Sequence, residues 1–159
     1  MIRKIVLALA SGAILALSPA AFAHPADKYI AKAVLMNAAA EVNLDSQKAF
    51  DMFNQGGGKF LTGMNGNIYV FCIRAEDGKF VAMGNVNAKE LLGQDVRTLK
   101  DETGKAYGQD IFAAAQKPEG AITEVSYEFV KPKDPRPADK TSFVTRVDAD
   151  YACGVGYYK

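Results

Sequence analysis

Ile68-Tyr69-Val70-Phe71-Cys72-Ile73 is an unbroken run of apolar and aromatic residues. A strand with one wet face alternates polar with apolar residues, and this run does not. It therefore predicts a central strand covered on both faces. Glu76-Asp77-Gly78-Lys79 follows as a hairpin turn, with Asp-Gly suited to the positive φ angles of a tight reversal. Phe80 to Met83 returns as a second strand, and three more strands are expected over 121–130, 141–147 and 151–158.

Helical periodicity frames these strands. Ile30, Val34, Leu35, Ala38 and Val42 recur at helical spacing, so 26–42 reads as one helix. Asp45 or Ser46 can cap a second helix carrying Ala49, Phe50 and Phe53, which Gly56-Gly57-Gly58 then stops. A short helix over 88–92 and a longer one over 107–116 separate the second strand from the third. Pro132, Pro135 and Pro137 predict a stiff, exposed and mobile loop over 131–139, because proline removes backbone donors. No repeat appears, and no linker is long enough to divide two domains. Helices grouped apart from runs of strands imply one α+β domain with a mostly antiparallel sheet.

Residues 1–23 read as a signal peptide. Arg3 and Lys4 precede the uncharged stretch Ile5 to Leu17, and Ala21-Phe22-Ala23 is a small-x-small cleavage site. Cleavage after Ala23 would leave a domain of residues 24–159, periplasmic or secreted; an uncleaved anchor is the alternative. Loss of Arg3 and Lys4 takes the formal charge from +1 to −1. An exported chain meets an oxidising compartment, so Cys72 and Cys153 suggest one disulfide, with two buried free thiols as the alternative.

Composition narrows the chemistry. The near-neutral charge leaves no basic excess for nucleic acid. The single histidine, His24, would sit at the mature N-terminus, which removes zinc catalysis and a Ser-His-Asp triad. No phosphate-binding glycine motif opens a helix, and no cofactor, metal site or enzymatic activity is expected.

Several segments, taken in order, resemble the single Cache domain of the second type, an extracytoplasmic sensor family with a PAS-like sheet. The matching text is Gly57-Gly58-Lys59-Phe60, Ile68-Tyr69-Val70-Phe71, Asp77-Gly78, Leu92-Gly93-Gln94-Asp95, Leu99-Lys100-Asp101, Gly104-Lys105, Tyr127, Lys140-Thr141-Ser142-Phe143-Val144 and Gly154-Val155-Gly156-Tyr157-Tyr158. The resemblance implies a five-stranded, mostly antiparallel sheet behind a long N-terminal helix. It also implies adjacency of the first and last strands, which would bring Cys72 and Cys153 together.

On the same resemblance, Lys140 matches a lysine whose ammonium faces the ligand pocket and pairs with a carboxylate; a strand-starting lysine in solvent is the plain alternative. Tyr107, Tyr127 and Phe129 are candidate pocket walls, or simply core. Tyr69 and Tyr127 carry hydroxyls that need partners if buried. Arg146 lies six residues after Lys140, on the same face of a regular strand, as a second cation or a surface ion pair. Asp101 either shapes a turn with Gly104 or reaches the pocket, and Met83 is core or pocket wall. Family members often carry His at Met83, Trp at Phe129 and Tyr at Phe143, so this pocket is expected to be more apolar than is typical.

These readings converge on a sensing domain for a short organic carboxylate. With no transmembrane, kinase or methyl-accepting segment after the domain, the signal would pass to a membrane sensor kinase, chemoreceptor or transporter. The competing reading is an interaction protein that keeps the fold without a working pocket.

Overall fold

The computed structural model describes residues 25–63, 66–131 and 134–159. The expected signal peptide and His24 lie outside them.

The N-terminal helix α1 spans Pro25–Leu44 and α2 spans Ser46–Gln55. The Asp45 carboxylate accepts the Lys48 backbone N–H at 3.0 Å and so caps α2. Asp45→Ala should cost about 1 kcal/mol, a typical N-cap loss. Urea unfolding measures it, and an unchanged midpoint would show that packing alone holds the helix. Ala31, Val34, Leu35, Ala38 and Val42 bury one stripe of α1, and Ala49, Phe50 and Phe53 one stripe of α2.

The sheet contains β1 (Leu61–Thr62), β2 (Ile68–Arg74), β3 (Phe80–Met83), β4 (Ile122–Lys131), β5 (Asp134–Arg146) and β6 (Tyr151–Tyr158). Its order is β1-β2-β6-β5-β4, with β3 also paired to β2, and every strand pair is antiparallel. The expected five strands are present, and the two-residue β1 extends the same edge of β2 that β3 occupies. Between β3 and β4 run 3₁₀ turns at Val86–Leu91 and Val96–Thr98, then α3 (Tyr107–Ala115).

Alternation along β2 explains its unbroken apolar run. Ile68, Val70 and Cys72 face α1 and α2, while Tyr69, Phe71 and Ile73 face α3 and the 3₁₀ turns. Both faces are dry, so neither admits a polar residue. Gly78 makes the β2–β3 reversal at φ +72°, and its missing Cβ leaves room for Asp95 and Phe112.

Cys72 and Cys153 stand directly opposite each other in the β2–β6 register and form a disulfide, with Cα atoms 4.1 Å apart. The bridge lies on the helix-covered face, wholly buried.

The proline segment departs from expectation. It is strand, not loop: Phe129 pairs with Ala138, Val130 with Pro137 and Lys131 with Asp134. The cause lies in the register. β6 ends against Lys140, and Lys159 beyond it reaches only the Asp139 carbonyl, so residues 134–138 of β5 have a ladder partner only on the β4 side. Proline is tolerated on such an open edge, where a missing N–H costs no ladder bond. Exposure of Pro135, Arg136 and Pro137 is as expected. Pro132 and Lys133 lie outside the described residues.

Candidate functional site

The sheet face toward α3 forms one wall of a small, partly open cavity at the β5 lysine. β5 contributes Lys140, β4 contributes Tyr127 and Phe129, and β2 contributes Tyr69 and Phe71. Phe80 and Met83 come from β3, Tyr107 and Ile111 from α3, and Leu91 and Leu99 from the intervening turns. The volume is about 30 Å³. One water needs roughly 10–15 Å³ on this measure, so the space suits a molecule of a few heavy atoms.

Lys140 is 2% exposed. Its ammonium donates to the Tyr69 hydroxyl at 2.7 Å. It also lies 4.2 Å from the Tyr69 ring centroid and 4.9 Å from those of Phe129 and Tyr158. Three aromatic faces thus offer it the negative side of their quadrupoles. No carboxylate among the described residues forms an ion pair with it. An ammonium carries three donors, and one is used on Tyr69.

The hydroxyls around it are held by the sheet. Tyr127 stands opposite Lys140 on β4 and shares a 2.8 Å hydrogen bond with Ser142, two residues along β5. Its ring stacks on Tyr107 at 4.1 Å, nearly parallel, and Phe129 meets both rings edge-on. Tyr158, opposite Lys140 on β6, donates to the Val130 carbonyl at 2.6 Å. Burial pushes the Tyr107, Tyr127 and Tyr158 hydroxyls above the ordinary phenol range, and the neighbouring Tyr69 adds to it. They remain neutral donors at any physiological pH.

Residues 58–158 match the model of the Cache domain family. The chain belongs to that family. Cache domains are extracytoplasmic sensor modules, sensory rather than catalytic. No curated protein matches. Three solved structures share the fold. A methyl-accepting chemotaxis protein from Vibrio parahaemolyticus is 22% identical, with a TM-score of 0.62, covering 84% of this chain and 88% of its own. A periplasmic sensor domain of a chemotaxis protein is 18% identical, with a TM-score of 0.60 and coverages of 84% and 94%. A third, described as the structural basis for carboxylic acid recognition by a Cache chemosensory domain, is 19% identical, with a TM-score of 0.57 and coverages of 84% and 90%.

Within this Cache domain, six of the residues singled out from sequence meet at one cavity: Lys140, Tyr127, Tyr107, Tyr69, Phe129 and Met83. Two do not. Arg146 shares the face of Lys140 but sits about 20 Å along the strand, at about 3.3 Å per residue. There its guanidinium donates to the carbonyls of Asp148 and Ala149 at 2.9 and 2.5 Å, holding the β5–β6 turn. Asp101 is a turn builder. Its carboxylate accepts from the Thr103 hydroxyl at 2.6 Å and from the backbone N–H groups of Thr103, Lys105 and Glu128. The Thr103 bond foremost holds its pKa below the usual carboxylate value.

Phe143 also falls outside the cavity. It packs on the α1 side and stacks on Tyr157 at 5.6 Å, because odd positions of β5 face the helices. Its lack of a hydroxyl therefore says nothing about the pocket. Met83 and Phe129, by contrast, do make the wall apolar. Sequence reasoning missed Phe71, Phe80, Leu91, Leu99 and Ile111 in the lining. Strand alternation from Tyr69 is a signal for Phe71; nothing comparable marks the others.

Proposed function

We propose that this Cache domain binds a short organic monocarboxylate and reports its presence to a membrane receptor, kinase or transporter. The observation that carries this reading is the buried Lys140 ammonium with no carboxylate partner among the described residues. A buried charge is costly unless paired. Rings and a phenol soften that cost, and an anionic ligand removes it. The lining holds no acid, so a ligand ammonium would find no counter-ion beside Lys140. It holds no second cation, so a dicarboxylate would bury one charge unpaired. Among the described residues of the lining, Lys140 is the only ionisable group besides the phenols. The exported form, with residues 1–23 removed as a signal peptide, is part of the same proposal.

The test is a thermal-shift screen of two- to four-carbon monocarboxylates against the purified domain. A ligand at a hundredfold excess over its Kd stabilises the fold by about 2.7 kcal/mol, so the melting temperature should rise clearly. Succinate and glycine should leave it unchanged. A flat response to every monocarboxylate would overturn the proposal and leave an interaction module without a working pocket.

A further inference from the structure

Lys140 stands on β5 and its hydrogen-bond partner Tyr69 on β2, yet β6 runs between them. Neighbouring strands lie about 4.8 Å apart, so the lysine must cross roughly one strand spacing, onto β6, to meet the phenol that leans in from β2. The side chain does this by lying flat over β6 at Gly156, which stands opposite Ser142 in the register. An ideal Cβ on Gly156 would lie 2.3 Å from Lys140 Cε, 3.3 Å from Nζ and 2.8 Å from Ser142 Oγ. Gly156 is ordinary strand and is not among the positive-φ glycines. Glycine therefore stands there for space rather than for backbone freedom.

We infer that Gly156 is a positioning residue that sets the depth of the Lys140 ammonium, and through it the chain length of the ligand the cavity accepts. This rests on the reading of Lys140 as the carboxylate anchor. A carbon–carbon contact settles at about 3.5–4.0 Å, so a methyl at 156 must lift Cε by more than 1 Å off the sheet. The lift is toward the cavity, since that Cβ faces the same side as Lys140 and Ser142. A displacement of about 1.5 Å is one carbon–carbon bond, so the space left above the ammonium is shorter by one carbon. One methylene in an apolar pocket is worth about tenfold or more in affinity.

The experiment measures affinities of formate, acetate, propionate and butyrate for the wild type and Gly156→Ala by calorimetry. The best ligand should become one carbon shorter in the variant. The longest acid the wild type accepts should lose about tenfold or more, with a smaller change for the next shorter one. Identical rank order and affinities in the two proteins would overturn the inference. If the wild type binds none of the four, the carboxylate reading itself has failed.

A stability cycle tests the geometry independently of any ligand. Gly156→Ala should lower the unfolding midpoint much more in the Lys140 background than alongside Lys140→Ala, which removes Cε and Nζ. This also covers a single variant that does not fold, since Lys140→Ala should then restore folding. An equal penalty in both backgrounds, or a double variant that also fails to fold, would overturn the role assigned to Gly156.

Discussion

Replacing both Cys72 and Cys153 by alanine should lower the stability of the domain by about 2–5 kcal/mol. The bridge closes a separation of 81 residues, which includes β3, α3, β4 and β5. In the chain-entropy account, a loop that long adds about 4–5 kcal/mol by restricting the unfolded chain. The bridge also ties β2 to β6 on the face where α1 packs, so its loss loosens the seam between the chain's first long strand and its last. In urea the midpoint should fall by about 1 M or more, at a slope of about 1–3 kcal/mol per molar. Both cysteines are fully buried, so reductant alone should act slowly on the native protein and fast once denaturant opens it. A change below about 1 kcal/mol would mean that packing, not the cross-link, holds this seam. A buried disulfide suits an oxidising compartment, where extracytoplasmic sensor domains reside.

The elements legible in the sequence were those whose signal is local. β2 and β6 carry their own patterns, because both faces of the sheet are dry there. Helices α1 and α2 follow from apolar spacing and an aspartate cap, and α3 from the same spacing between a turn and a proline. The first half of β5 was not legible. Pro135 and Pro137 look like strand breakers until it is known that β6 stops at Lys140 and leaves that edge open. Where one strand ends against another is a property of the register, and no single segment encodes it.

The same limit governs the cavity. Lys140, Tyr127 and Tyr69 were reached by resemblance, and strand alternation puts Ser142 on their face. Arg146 passed the alternation test and still lies at the far end of the strand, since alternation gives the face but not the distance. Phe143, three residues from Lys140, falls on the opposite face by the same alternation. Gly156 was visible only as part of a Gly-Val-Gly pair. Its effect depends on a lysine on the neighbouring strand lying across it, which the sequence separates by sixteen residues.

Lys140→Met should weaken binding of the best monocarboxylate by roughly ten- to a hundredfold while the domain stays folded. A short acid offers few apolar contacts, so the charge-assisted hydrogen bond supplies much of its affinity. Such bonds contribute about 1.5–3 kcal/mol, against about 1 for neutral ones, and each 1.4 kcal/mol is a factor of ten. Methionine keeps the length of the stem and leaves no unpaired charge against Tyr69, Phe129 and Tyr158. It should therefore match or exceed the stability of the unliganded wild type, since removing a buried, unpaired cation relieves a cost. The two effects have opposite signs, and that opposition is the diagnostic. Lys140→Arg should also bind poorly, because a planar fork cannot replace a compact ammonium in a space of about 30 Å³. Calorimetry for affinity and urea unfolding of the apo form measure the pair. If methionine binds the acid as tightly as lysine does, the ammonium is not the anchor, and the hydroxyls of Tyr69 and Tyr107 must hold the ligand instead.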